Sequence, residues 1–324
     1  MEKGNMNNIG KKITEKLIEI HGSANFKIAF LPYKRSMWNS MASVYEECKA
    51  AGADAHCYPI PYLRMKENKE PDYLDSDFAL FGDIAEPIET LTEADYVAIH
   101  YQYEDNNFVT NMLPKYFTDA LKERYHAKVV YLPYGIGSST GAFAIQPGCR
   151  HVDYAFLEDE ECASRFIAGW LTQGVDFSGR CFGFGSAKLD AVRALPEKSV
   201  PEEWSDRLGD RTVILICNSL GPFLQDPFRH IDLYELNIIR ELYEKHAVIF
   251  RPHPLLRQTI RSMRPEASER YNNFIREMRI RDYIVVDESE YIERAIAAAD
   301  RLISDPSSVI SMWRETGKPY KIIE

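Results

Sequence analysis

Thr212-Val213-Ile214-Leu215-Ile216-Cys217, then a helical pattern from Ile231 to Lys245, then Ala247-Val248-Ile249-Phe250 running straight into Arg251-Pro252-His253-Pro254, is the stretch that decides the fold. Two short apolar, β-branched runs flank a segment whose apolar residues recur every three to four positions, which reads as strand, helix, strand. Such alternation builds a parallel sheet covered by helices on both faces. The two prolines after Phe250 fix the backbone and deny it a helical continuation, so Arg251 and His253 are presented at a strand's carboxyl end on a stiff turn.

The same alternation extends along the chain. Strands are expected at 27–31, 54–60, 96–100, 128–132, 153–157 and 180–184, and again at 212–217, 247–250, 283–286, 301–303 and 319–323. Helices are expected between them, among them 37–51, 114–125, 159–171, 231–245, 267–280 and 291–299. The rhythm pauses at Leu195 to Asp210, where prolines, acids and a glycine interrupt the apolar pattern, as in a domain linker. The expected organisation is therefore an N-terminal amphipathic extension over 1–24, a Rossmann-like domain over 25–194, a linker over 195–210 and a second Rossmann-like domain over 211–324. The fold class is α/β, with two doubly wound parallel sheets facing across a cleft, where ligands of such sheets are expected. Ile9, Ile13, Leu17 and Ile20 recur at helical spacing, a stripe suited to packing on the chain's own domain or a partner helix, or to a membrane surface.

Charge and cysteine content narrow the function classes. The 324 residues carry 39 Lys and Arg against 49 Asp and Glu, a net charge of -10, which argues against a protein held by nucleic-acid phosphates. From Lys66 to Asp105 twelve acids face two bases, so one stretch accounts for the acidity, while Arg251 to Arg281 contains eight arginines. Six cysteines stand at scattered spacings with no C-x-x-C, as reduced buried thiols do. The amino terminus has no signal-peptide core and no run of about 18 apolar residues occurs, so a cytoplasmic protein is expected, with the first helix as its candidate contact with the inner membrane face.

Several segments carry chemistry. In Arg251-Pro252-His253-Pro254 the arginine can fork onto phosphate oxygens and the histidine can donate to a pyrophosphate or act as an acid. Ser304-Asp305-Pro306-Ser307-Ser308 opens a helix closed by Gly317, and its free N–H groups with the Ser307 and Ser308 hydroxyls make an anion site; helix capping alone would explain Asp305 and one serine. Asn218-Ser219-Leu220-Gly221 follows the first strand of the second domain, where a glycine-containing turn approaches a nucleotide. His100 to Asn107 (HYQYEDNN) gathers a histidine, two carboxylates and three amides after a strand. Asp75-Ser76-Asp77 has the D-x-D form of metal-dependent sugar transferases but lies in an acidic loop, and no metal site is assigned to it.

R-P-H-P after one strand and D-P-S-S after a later one, followed by Thr316-Gly317-Lys318-Pro319, resemble the CDP-glycerol glycerophosphotransferase family, the enzymes that build teichoic acids and related polymers. The resemblance runs from Phe26 onward and is strongest from Ile249 to Lys321. It implies a GT-B fold with Arg251, His253, Ser307 and Ser308 on the donor pyrophosphate, and Gly183 to Asp190 (GFGSAKLD) resembles the family's G-x-P-K-x-D hinge, with Ala187 in place of the proline. The family's W-H-G motif, whose His is taken as the acceptor base, corresponds to Leu132-Pro133-Tyr134-Gly135-Ile136-Gly137, so Tyr134 stands where that His would be. A tyrosine with a pKa near 10 is a poor base, which turns attention to His100 and Asp105 as proton acceptors.

The resemblance thus implies transfer of a glycerophosphate or similar polyol phosphate from CDP-glycerol, or a related CDP-polyol, to a hydroxyl of a polymer, glycan or lipid-linked acceptor, with CMP released and no cofactor required. Two alternatives stand beside it, a GT-B glycosyltransferase using a CMP-sugar and a nucleotide-binding module that has lost catalysis. GT-B relatives continue past the T-G-K-P strand into terminal helices, so a shortened member or a piece of a longer protein is expected.

Overall fold

Unbroken apolar runs become strands here because both faces of each sheet are covered, so every side chain in a run such as Val213 to Cys217 is buried. The computed structural model describes residues 8–66, 68–136 and 145–323; Glu67 of the acidic stretch, Gly137 of the segment around Tyr134, the first seven residues and Glu324 lie outside them. The described residues divide into two units, 8–64 with 71–191 and 65–70 with 192–323.

In chain order the first unit runs α1 (Ile9–His21), β1 (Lys27–Phe30), α2 (Ala42–Ala50), β2 (Asp54–Cys57), β3 (Tyr62–Met65), β4 (Pro71–Asp75), β5 (Tyr96–Ile99), β6 (Thr110–Met112), α3 (Thr118–Tyr125), β7 (Lys128–Tyr131), β8 (Tyr154–Leu157), α4 (Glu160–Leu171), β9 (Cys181–Gly183) and α5 (Lys188–Arg193). Its main sheet is parallel, in the order β2-β1-β5-β7-β8-β9. Two glycines matter for closeness rather than for freedom. A Cβ on Gly183 would lie 2.2 Å from the Asp159 carbonyl carbon, and one on Gly10 would lie 2.5 Å from that of Ser43.

Helix α1 is not a separate extension. Asn8 caps it by accepting the Lys11 N–H at 2.9 Å, and Gly22, at φ 89°, closes it in the left-handed region. Ile9, Ile13 and Leu17 are buried in the first unit's core with Phe26, Ile28, Trp38 and Val44. The Asp190 carboxylate accepts the N–H groups of Ile9 (3.0 Å) and Gly10 (2.8 Å) and the Ser43 hydroxyl (2.7 Å), so the acid of the hinge-like segment anchors the start of the helix.

A small antiparallel sheet, β4-β3-β6, was not expected from the sequence. Its strands are three to five residues long, and β4 is almost wholly exposed, so no apolar run marks it.

The second unit continues with α6 (Glu202–Leu208), β10 (Val213–Cys217), α7 (Leu220–Gln225), α8 (Pro227–Tyr243), β11 (Ala247–Arg251), α9 (Leu256–Met263), α10 (Ser268–Ile280), β12 (Ile284–Val286), α11 (Ile292–Ala298), β13 (Arg301–Ser304), α12 (Ser308–Arg314) and β14 (Tyr320–Ile322). Its sheet is parallel in the order β12-β11-β10-β13-β14. Residues 195–210, expected to be a linker, instead contain α6. Its first-turn acids, Glu202 and Glu203, suit the positive end of a helix, and Trp204 and Leu208 are buried. Arg207 donates to the carbonyls of Arg279 (2.7 Å) and Ile284 (3.0 Å), which ties the segment to the second unit.

All six cysteines are buried, and none is in a disulfide. Among the described residues no helix is long and apolar enough to cross a membrane.

Candidate nucleotide site

β10 is the central strand of the second sheet, and its last residue, Cys217, is level with Arg251 on one side and Ser304 on the other. The turns that follow these strands, 218–219, 252–254 and 305–307, therefore leave one sheet edge side by side. Strand order reverses between β10 and β13, the position at which doubly wound sheets open a crevice for a ligand.

Hydrogen bonds lock the three turns together. The buried Asn218 accepts the His253 N–H through Oδ1 at 3.2 Å and donates Nδ2–H to the Ser219 carbonyl at 3.2 Å. Ser219 N–H reaches both carboxylate oxygens of Asp305, at 2.8 and 2.9 Å. Burial raises the Asp305 pKa, with the Ser219 hydrogen bonds pulling the other way. Asp305 is thus a strap between turns and not the cap of α12. Ser307 holds the cap position, at φ -156° and ψ 165°, makes no side-chain cap bond, and shares a 3.1 Å contact with the Ser304 hydroxyl, while Ser308 is the first helical residue.

His253 is half-buried, and its Nδ1 accepts the Leu255 N–H at 3.1 Å. That bond leaves the proton of the neutral ring on Nε2, which is a hydrogen-bond donor. Arg251 plays a different part from the one expected. Its guanidinium is buried against Asp287 at 2.5 Å and donates to the Ser289 carbonyl at 2.8 Å and its hydroxyl at 3.4 Å. Arg251 therefore fixes the loop after β12 instead of offering its fork to a phosphate. Sequence reasoning does not single out Asp287 or Ser289; an aspartate and a serine just past an apolar run are the one available signal.

The structure brings two of the residues expected on the acceptor side together, with the His100 and Tyr134 rings 6.2 Å apart. His100 is fully buried, and its Nε2 accepts the Tyr33 N–H at 3.2 Å. Burial pushes its pKa down to about 3, so it is a neutral packing residue and not a proton acceptor. Tyr134 is no base either, since burial first, then the neighbouring Tyr33 and Tyr103, hold its phenol well above its ordinary pKa. Its main chain is tied down, with its N–H on the His100 carbonyl at 3.4 Å and its carbonyl accepting Lys188 Nζ at 3.3 Å. Glu104 is buried and accepts the Thr118 N–H and hydroxyl at 2.8 and 3.0 Å, an anchor for the start of α3. Asn107 closes its own loop by accepting the Val109 N–H at 2.9 Å. Asp105 alone of the three candidates has an exposed side chain.

Asp75 and Asp77 belong to a compensated cluster. Asp75 accepts Arg64 Nε at 2.7 Å and the Tyr62 hydroxyl at 3.1 Å; Asp77 accepts the same hydroxyl at 3.0 Å and lies 3.8 Å from the buried Lys34 Nζ. Burial works against the Asp75 charge, but Arg64 and the Ser76 N–H outweigh it and lower its pKa. Among the described residues no group of three or more His, Cys, Asp and Glu could hold a metal ion. Lys318 of the T-G-K-P segment donates to the carbonyls of Ala299 (2.8 Å) and Ile296 (3.4 Å), closing the carboxyl end of α11.

No protein-family model and no curated protein sequence matches the chain. Solved structures do. The Staphylococcus aureus MnaA structure with UDP matches at a TM-score of 0.55 and 13% identity, over 92% of this chain and 79% of that one. UDP-GlcNAc 2-epimerase from Neisseria meningitidis bound to UDP-GlcNAc matches at 0.55 and 12%, over 92% and 82%. The wall teichoic acid polymerase TagF aligns over 98% of this chain and 74% of that one at 13% identity, with a TM-score of 0.49. With its two parallel sheets, the chain has a GT-B-like fold of two Rossmann-type units.

Proposed function

We propose that this protein is a GT-B-type enzyme that binds a CDP-activated polyol, CDP-glycerol in the simplest case, through the second unit and transfers the polyol phosphate to a hydroxyl acceptor. The observation that carries the reading is the convergence of the Asn218–Ser219, Pro252–Pro254 and Asp305–Ser307 turns at the strand-order reversal, with a His253 Nε2–H donor among them. The acceptor oxygen attacks the phosphorus distal to cytidine, a P–O bond forms, the bond to the bridging oxygen breaks, and CMP leaves with the released charge. His253 and the Ser307 and Ser308 hydroxyls serve that charge, and fixed donors of this kind are worth roughly 10²- to 10³-fold each in rate. Arg251 acts through the loop it fixes. Of the acceptor-base candidates, burial withdraws His100 and the raised phenol withdraws Tyr134, which leaves Asp105 of the first unit.

Thermal shift with CMP, CDP, UDP, UDP-GlcNAc, CDP-glycerol and CDP-ribitol tests the donor class, and a cytidine preference is expected. A His253→Ala variant that keeps both CDP-glycerol affinity and turnover overturns the assignment. A second reading, a nucleotide-binding module without transfer activity, is favoured by the same burial of His100 and high pKa of Tyr134. Binding of CMP with no CMP release from CDP-glycerol, across polyol and glycan acceptors, supports that alternative.

A further inference from the structure

The turn that carries His253 has one main-chain donor. Pro252 and Pro254 have no N–H, so between Arg251 and Leu255 only His253 can tie the main chain to anything by donation. Its N–H goes to Asn218 Oδ1 at 3.2 Å. Two further bonds hold the residue, the Leu255 N–H on its Nδ1 at 3.1 Å and the Leu256 N–H on its carbonyl at 2.8 Å, but both lie within the turn itself. The bond to Asn218 is the one that ties the turn to the neighbouring strand end.

Asn218 is the first residue past the central strand β10 and is only 3% exposed, so a ligand meets little of it. Both ends of its amide face main chain. An N–H can only donate and a carbonyl only accept, so the oxygen must face His253 and the nitrogen must face the Ser219 carbonyl, 3.2 Å away. Alanine satisfies neither contact. We infer that Asn218 is a positioning residue that acts through His253: it fixes the height of the main chain from which the ring, turned by Leu255, aims its Nε2–H. The inference rests on the reading of His253 as a donor to the nucleotide phosphates. It separates the two neighbouring turns, because the Ser219 N–H that reaches Asp305 is main chain and survives the loss of the Asn218 side chain.

The test is a double-mutant cycle on the full chain, with Asn218→Ala, His253→Ala and the double variant, read by calorimetry with CMP and with cytidine. Asn218→Ala should weaken CMP roughly fivefold to tenfold, as expected when a hydrogen bond to a charged group is misplaced, and leave cytidine unchanged. In the His253→Ala background the same substitution should change CMP affinity by no more than about twofold, since its effect runs through the ring that is gone. Unchanged CMP affinity in Asn218→Ala, equal losses for CMP and cytidine, or a full further loss in the double variant overturns the positioning role and leaves the proposed function standing. A wild-type protein that binds no CMP overturns the proposed function, and the ligand-free protein then decides the positioning. There, Asn218→Ala should move the His253 ring resonances and leave the other histidine signals in place; an unmoved His253 signal overturns the inference. Should Asn218→Ala fold poorly, hydrogen exchange of the wild-type protein gives the answer: the His253 N–H should be protected, and exchange at the rate of an open chain overturns the inference.

Discussion

Replacing Arg251 with methionine separates a structural arginine from a phosphate-binding one. The guanidinium meets Asp287 at 2.5 Å and the Ser289 carbonyl at 2.8 Å, with the two ion-pair side chains 5% and 2% exposed. Methionine leaves the Asp287 carboxylate buried without its counter-charge, and breaking a buried pair from one side costs about 3–5 kcal/mol. For a urea dependence of about 2 kcal/mol per molar, the unfolding midpoint should fall by roughly 1.5–2.5 M. The assay is urea denaturation followed by fluorescence, with Trp204 and Trp313 reporting on the second unit. The double variant Arg251→Met/Asp287→Leu removes both charges and should recover most of the midpoint, because an apolar pair of similar volume is often no less stable than the ions. An Arg251→Met protein with an unchanged midpoint and a collapsed CMP affinity refutes the reasoning and returns the arginine to the phosphate.

Three further outcomes are expected. His56 lies between Glu86 and Asp54 at 2.5 and 2.6 Å; burial opposes its charge, but the two carboxylates outweigh it and raise its pKa. Its contribution is fully present below the unfolded value near 6.5 and is lost as pH rises through the higher folded value, so His56→Gln should lower thermal stability at pH 5.5 and make no difference at pH 9. His100, with its pKa near 3, should show ring resonances that do not titrate between pH 5 and 8, and its neutral burial makes stability decline as pH falls below about 6.5. Asp190→Ala removes acceptors from two helix-end N–H groups and a hydroxyl, which should cost about 1–2 kcal/mol and speed amide exchange at Ile9 and Gly10 more than in β10.

The strands of both parallel sheets were legible because burial on two faces writes itself as runs such as Lys27 to Phe30 and Val213 to Cys217. Strands β3, β4 and β6 were not, since a short, half-exposed antiparallel ribbon mixes Arg64, Asn111 and Asp75 with its apolar residues. The candidate site was legible as three punctuated strand ends, because prolines and small polar residues act locally on the backbone. The direction in which Arg251 points was not, as it depends on Asp287, 36 residues later. Asp190 and α1 show the same limit at greater range: their contact spans 180 residues, and neither segment carries a sign of the other. His100 misleads for the opposite reason, since a histidine just past a strand looks available until the chain closes over it.

The buried cysteines make the chain its own opening gauge. Burial pushes the Cys48 thiol up to about 11 and those of Cys181 and Cys217 to about 12, and raises Cys57 and Cys149 further, so none of these offers a thiolate to an alkylating reagent at neutral pH while the fold is closed. Cys217 lies on the central strand of the second sheet, whereas the other five lie in the first unit. Alkylation followed by peptide mass spectrometry would therefore time the opening of each half separately, without a label or a substitution, and would read whether a bound nucleotide slows Cys217 alone.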